Sequence, residues 1–387
     1  MLIQLIHSLG RYLGWFICSI WPGAHPGAPL SFARLVFLLL VLPAIIAVQF
    51  IHWVGLLIDE VLFGTYRKIE VKAPVFISGI PRSGTTFVHR TIAENSDNFT
   101  YFKTWEAILA PSITERKCLR MAAHMDAALG GYLLKLIHKT LSRFTGALDD
   151  IHEVGLSSPE EDYLALLPVG GCFLLVFAFP FSTYLRSLGK LDEMPVEHRE
   201  RLLNGYHRCL QKHLYCSGAD NRLLSKNAAF STWLPFLQKK YPDGSFMVCV
   251  RDPERALSSQ LSSLEGARSA FGSDPNGEHT SALMLTTFEH SYRSINSFLQ
   301  EASNEDAIAI LEQTDLRLNA GNLIANAAER LGFGESCDLQ HLRSMKPSKP
   351  SSHKHRISNF PIDSERMKVC IEPCYQEILK AKQRISI

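Results

Sequence analysis

The stretch Phe76-Ile77-Ser78-Gly79-Ile80-Pro81-Arg82-Ser83-Gly84-Thr85-Thr86 constrains this chain more than any other. It reads as an apolar strand, a loop bracketed by two glycines, and a helix whose periodicity runs from Thr85 to about Ala93. Backbone N–H groups in such a turn, with the positive end of the helix dipole, form an anion cradle. Further apolar runs at Arg222–Ser225, Ser245–Val250 and Ile308–Leu311 read as strands, and residues 112–145, 196–216 and 319–331 as helices. Strands separated by helices need crossover connections, so the expected fold is α/β, a parallel sheet flanked by helices.

The glycines have the Walker A spacing, which makes the loop P-loop-like. Thr85-Thr86 nevertheless stand where a P-loop has Lys followed by Ser or Thr. That lysine holds the β- and γ-phosphates and the hydroxyl holds magnesium, so a P-loop nucleotide kinase or phosphotransferase is the alternative reading rather than the leading one. Arg82 lies inside the loop instead and brings a planar donor fork to the cradled anion.

Pro81-Arg82-Ser83-Gly84-Thr85-Thr86 after a strand resembles the 5′-phosphosulfate-binding loop of sulfotransferases that use 3′-phosphoadenylyl sulfate (PAPS). A second segment, Val248-Cys249-Val250-Arg251-Asp252-Pro253 with Ser258 and Ser259 on the following helix, resembles the family's 3′-phosphate site. There an arginine at a strand end acts with a serine eight residues later, the spacing of Arg251 and Ser259. Leu223-Leu224-Ser225-Lys226-Asn227 resembles the strand-end Lys-Asn of bacterial members, and Ser352-His353-Lys354-His355-Arg356 the basic C-terminal loop, though the Arg-Lys-Gly of cytosolic members is absent. The resemblance runs from Ala73 to Ile387. It implies PAPS as co-substrate, no metal, and sulfuryl transfer to a hydroxyl or amine of a small molecule, lipid or glycan. It also implies cofactor contacts from Arg82, Ser83, Gly84, Thr85, Thr86, Arg251, Ser259, Lys354 and Arg356, with Arg82 and Lys226 neutralising charge on the group in transfer.

Sulfuryl transfer needs one proton acceptor besides positioning and charge stabilisation. Glu106, in Lys103-Thr104-Trp105-Glu106-Ala107, is the expected base by family resemblance, with His152 in Ile151-His152-Glu153 as its rival. The acidic run Pro159-Glu160-Glu161-Asp162 follows closely and reads as the first turn of a helix.

The net charge of +2 over 387 residues gives no field suited to nucleic acid. Hydrophobic residues make up 46%, with the surplus in the first seventy positions. Leu35 to Ile58 carries no formal charge over 24 residues. As a helix it would reach about 36 Å, enough to cross a hydrocarbon core of about 30 Å. Pro43, Gln49 and His52 interrupt it, so a span, a helix in the membrane interface and a core helix all stay open. Residues 1–66 are therefore expected to be a hydrophobic, membrane-associated helical segment and 73–387 the catalytic domain, with a membrane as partner. The nine cysteines show no CxxC or metal spacing, which points to reduced thiols and a cytoplasmic catalytic domain. The apolar run Cys172 to Phe181 reads as core or as an acceptor channel.

Overall fold

The structure, a computed structural model, describes residues 2–21, 25–132, 155–302, 304–346 and 357–385. His152, Lys354 and Arg356 lie outside the described residues. Among the described residues five strands, β1 (Val75–Gly79), β2 (Phe99–Thr100), β3 (Arg222–Asn227), β4 (Ser245–Val250) and β5 (Ile308–Glu312), form one sheet in the order β2-β3-β1-β4-β5. Every pairing is parallel.

Alternation along the strands explains why both faces are covered. Phe76, Phe246, Val248, Ile308 and Ile310 join a large core on one face, whereas Val75, Ile77, Met247, Ala309 and Leu311 join a smaller one on the other. The smaller core is closed by α3 (Thr85–Glu94), through Val88 and Ile92, and by α9 (Gln313–Arg330), through Ile324 and Ala328. The larger core takes side chains from α6 (Val196–Ser217), α7 (Pro253–Phe271) and α8 (Glu278–Gln300). Most of Cys172 to Phe181 is buried there as well, including Cys172, Val176 and Phe179, so that run is core.

The N-terminal region is two helices, α1 (Leu2–Ile20) and α2 (Phe32–Leu62), the latter with one π-turn at Phe37–Val41. Tyr12 and Trp15 of α1 and Phe37, Leu38, Leu42, Trp53 and Leu56 of α2 are buried in the same core as the sheet residues. The expected division between residues 1–66 and 73–387 is therefore a boundary in hydropathy and not one in packing. All nine cysteines are free thiols.

Strand β1 is central: the chain runs from it to β2 and back to β3 on one side, then crosses to β4 and β5 on the other. In open parallel sheets such a switch point leaves a crevice beyond the strand C-termini, where ligands bind. The glycine loop after β1 lies there.

Candidate active site

Strand β1 ends at Gly79, with φ of 139°. A Cβ on Gly79 would lie 1.9 Å from the Cys249 carbonyl oxygen, so glycine is required where the two strands close. Just beyond, the Ile80 N–H donates to the Cys249 carbonyl at 2.9 Å, and the Ser231 hydroxyl donates to the Gly79 carbonyl. Arg82 (φ 67°) and Gly84 (φ 101°) are both left-handed. For arginine that conformation costs on the order of 1 kcal/mol, and such strain gathers at ligand clamps. Gly84 is the N-cap of α3, which has no side-chain cap, so the first-turn amides are open to an anion. Ser83 is buried beneath the loop, and its hydroxyl has no hydrogen-bond partner among the described residues.

The end of β4 supplies the second part. Arg251 Nη1 donates to the Arg82 carbonyl at 2.9 Å, and Arg82 Nε donates to Ser259 Oγ at 3.2 Å. The structure thus brings Arg82, Arg251 and Ser259 together, although 169 residues separate the two arginines. Helix α7 starts locally here: Asp252 Oδ1 accepts from the Arg255 N–H at 2.9 Å, and Pro253 occupies the first turn. Ser258 spends its hydroxyl on its own helix, donating to the Glu254 carbonyl at 2.8 Å, which leaves Ser259 as the serine facing the loop. Tyr292 braces the corner by donating to the Arg251 carbonyl at 2.5 Å. Partial burial, then the charges of Arg317, Arg82 and Arg255, push the Arg251 guanidinium down to about 10. Among the described residues none of these four arginines has a carboxylate ion-pair partner. Such a cluster is relieved by a bound anion. Arg255 and Arg317 were not read from the sequence as part of this site. The signal was available, because both lie in the first two turns of helices that follow strands β4 and β5.

Lys226, near the end of β3, pairs in register with Ile77 of β1, two residues before Gly79. It is buried, and its Nζ lies 2.8 Å from Glu161 Oε1. The segment around Glu161 is fixed from both sides. The Glu160 N–H donates to the Phe102 carbonyl at 2.9 Å, and the Tyr163 N–H donates to Asn227 Oδ1 at 3.1 Å. Asp162 stands in the first turn of the 3-10 helix Asp162–Val169, as the acidic run predicts, and is buried there; it accepts from the Tyr206 hydroxyl at 2.5 Å and from the Asn227 amide. Burial pushes its carboxyl up to about 6, against the pull of those hydrogen bonds.

Glu106 lies in the first turn of α4 (Thr104–Ile108). Its Oε2 accepts from the Lys103 N–H at 3.2 Å, and its Oε1 is 3.5 Å from Arg120 Nη2 and 4.0 Å from Arg116 Nη1. The neighbouring His213 is held well below the usual imidazole range, first by burial and then by Arg116. Its Nδ1 accepts from Arg116 at 3.0 Å, so Nε2–H donates to Thr100 Oγ1 at 2.8 Å. The side chain of Glu106 is only 4% exposed. It is committed to capping its helix and to balancing two arginines, while the Glu161 side chain, 20% exposed, reaches Lys226 beside the loop.

The residues fit an elongated anionic nucleotide. The capless helix start and the unpartnered Ser83 hydroxyl suit one phosphoryl group, and Arg251 with Ser259 suits a second. Similarity to known proteins agrees with this arrangement. The chain resembles, at 15% identity and a TM-score of 0.68, the crystal structure of sulfotransferase STF1 from Mycobacterium tuberculosis, over 94% of this chain and 92% of that one. Sulfotransferase STF9 from Mycobacterium avium matches at 14% identity and a TM-score of 0.57, over 81% of this chain and 78% of that one. At these identities the likeness shows the fold. No curated protein matches in sequence. The profile of the sulfotransferase family matches residues 74–316, from the start of β1 to the first turn of α9, and the chain belongs to that family.

Proposed function

We propose that the protein moves a sulfuryl group from PAPS to a hydroxyl or amine of a small-molecule, lipid or glycan acceptor, and that it works at a membrane. The observation that carries this reading is the convergence of the capless glycine loop, Arg82, Arg251 and Ser259 at the switch point of the sheet. When bound, PAPS supplies the sulfuryl group. The loop amides, Ser83, Thr85 and Thr86 hold the 5′ side, and Arg251 with Ser259 holds the 3′-phosphate. Lys354 and Arg356 are placed over the nucleotide by family resemblance alone. Arg82 and Lys226 offset the negative charge that builds as the acceptor oxygen bonds to sulfur and the bridging oxygen departs. The acceptor proton goes to a carboxylate in the same crevice, and we place that base at Glu161, with Glu106 as the residue that positions the α4 region.

The P-loop kinase alternative needs a lysine where Thr85 stands. A thermal-shift titration separates the two readings. The product nucleotide, 3′-phosphoadenosine 5′-phosphate (PAP), should raise Tm without metal, and ATP with Mg²⁺ should not. The reverse result would return the protein to the phosphotransferases.

Arg251→Ala should weaken PAP binding by about 30- to 150-fold, the equivalent of losing a charged bidentate contact of about 2–3 kcal/mol. Adenosine 5′-phosphate should lose little, because it lacks the group that Arg251 grips. Calorimetry on both nucleotides checks this. Equal losses for the two would mean that Arg251 acts only through its hydrogen bond to the Arg82 carbonyl.

A further inference from the structure

Hydropathy alone makes α2 a membrane span, since its 31 residues are long and apolar enough to cross. Its packing forbids that while the domain is folded. Arg34 is fully buried and donates to the carbonyls of Ala178 at 2.8 Å and Phe271 at 3.2 Å, and to Ser19 Oγ at 3.0 Å. His52 Nδ1 lies 2.5 Å from Glu115 Oε1, and Trp53 Nε1 donates to the Pro168 carbonyl at 2.6 Å. Asp59 accepts from the N–H groups of Ile113 at 2.9 Å and Thr114 at 2.8 Å and pairs with Lys212 Nζ at 2.9 Å. These ties run from one end of the apolar stretch to the other. A spanning helix would break them all and carry Gln49 and His52, both buried near its middle, into hydrocarbon.

The opposite side of the helix is bare. Phe32, Leu39, Leu40, Phe50, Ile51 and Val61 are each 60% or more exposed. Ile6, Ile17 and Trp21 continue the surface on and just after α1. Arg11 and Arg34 are the only Lys, Arg, Asp or Glu residues between positions 2 and 58, and both turn inward. Arg11 stacks on the Tyr184 ring at 4.2 Å and donates to the Val169 carbonyl at 3.1 Å.

We propose that α1 and α2 form a platform that lies in one leaflet of a bilayer, parallel to its plane, without crossing it. This inference rests on the reading above that the protein works at a membrane, and it states how. Lipid fits this surface better than a second copy of the chain. Protein interfaces fix register with hydrogen bonds, about one per 100–200 Å², and here the outward side chains are overwhelmingly aliphatic and aromatic. Trp21 and Phe32 flank the α1–α2 connection at 72% and 84% exposure, an aromatic pair suited to the headgroup boundary. Lys68, exposed just after α2, suits anionic headgroups, beside Arg67, which pairs with Glu60, and Lys72, which pairs with Glu70 at 3.5 Å. The inner side of the platform also reaches toward the candidate site. Ser8, Arg11, Tyr12 and Trp53 donate to the carbonyls of Leu167, Pro168 and Val169, at the far end of the helical turn that starts beside Glu161.

The test uses the full-length protein and vesicles of phosphatidylcholine, with and without phosphatidylglycerol. The protein should float with the vesicles, more strongly when phosphatidylglycerol is present. Leu40→Glu combined with Ile51→Glu should cut flotation at least tenfold while leaving the Tm shift with PAP unchanged. Depth is read from three single tryptophan additions, Phe32→Trp, Phe50→Trp and Val61→Trp, with brominated lipids. An in-plane helix predicts quenching of all three chiefly by shallow bromines. Quenching of Phe50→Trp by deep bromines alone would show a span and overturn the proposal. A detergent-free dimer that does not bind vesicles would overturn it in favour of a second copy. The PAP titration reads the sulfotransferase assignment separately, so failure of one leaves the other standing.

Discussion

The Glu161→Gln enzyme should bind PAP as the parent does and lose about 10²- to 10⁴-fold in kcat, the usual size of a general-base contribution. The expectation comes from position. A base must reach an acceptor hydroxyl lying against the transferring group, next to the loop after β1. Lys226 is anchored beside that loop by strand register, and Glu161 Oε1 is 2.8 Å from its ammonium. Glutamine keeps the size and one hydrogen-bonding oxygen but cannot take the proton. Glu106→Gln has a different signature. It weakens the balance of Arg116 and Arg120 inside a pocket where Glu106 is 4% exposed, so Tm should fall and any loss of kcat should follow the folded fraction. His152→Ala completes the series. Normal turnover by Glu161→Gln beside a dead Glu106→Gln at full stability, or beside a dead His152→Ala, would move the base to the residue that failed.

The glycine loop and its arginine and serine neighbours were legible in the sequence because their information is local. A strand, two glycines with an arginine between them and a helix start specify a cradle by themselves, and β4 falls on the stretch from which it was read. Arg251 and Ser259 lie one strand end and two helical turns apart, again within one short segment. Lys226 was read from the sequence, but its pairing with Glu161 was not, because the two are 65 residues apart and meet only in the folded chain. Glu106 drew attention by its neighbourhood, and nothing in that neighbourhood reveals Arg116, Arg120 and His213 folding over it. The sequence left the placement of the N-terminal apolar helix open for a similar reason. A hydropathy average cannot say that Arg34, Gln49, His52 and Asp59 all face inward. Arg34 is an inner hydrogen-bond donor for three parts of the fold.

Lys212→Met should lower stability by about 3–5 kcal/mol, the cost of removing one partner from a buried ion pair. For a chain of this length that corresponds to a fall in Tm of roughly 4–6 °C. Lys212, in α6, is 2% exposed and Asp59, in α2, is not exposed at all, at an N···O distance of 2.9 Å. Methionine fills a similar volume, so the loss reports the charge left behind rather than a cavity. The expected value lies toward the lower end, because Asp59 keeps the Ile113 and Thr114 N–H groups at the start of α5 (Ile113–Ala128), where a helix dipole favours a negative charge. Lys72→Met is the control. Lys72 and Glu70 are both 77% exposed, and such a pair contributes little. A Lys212→Met protein that melts with the parent would mean that the pair is not formed in solution. Helix α2 would then be loose from the domain and free to cross a bilayer, so this melting curve, measured without lipid, is an independent check on the docked helix that the in-plane platform requires.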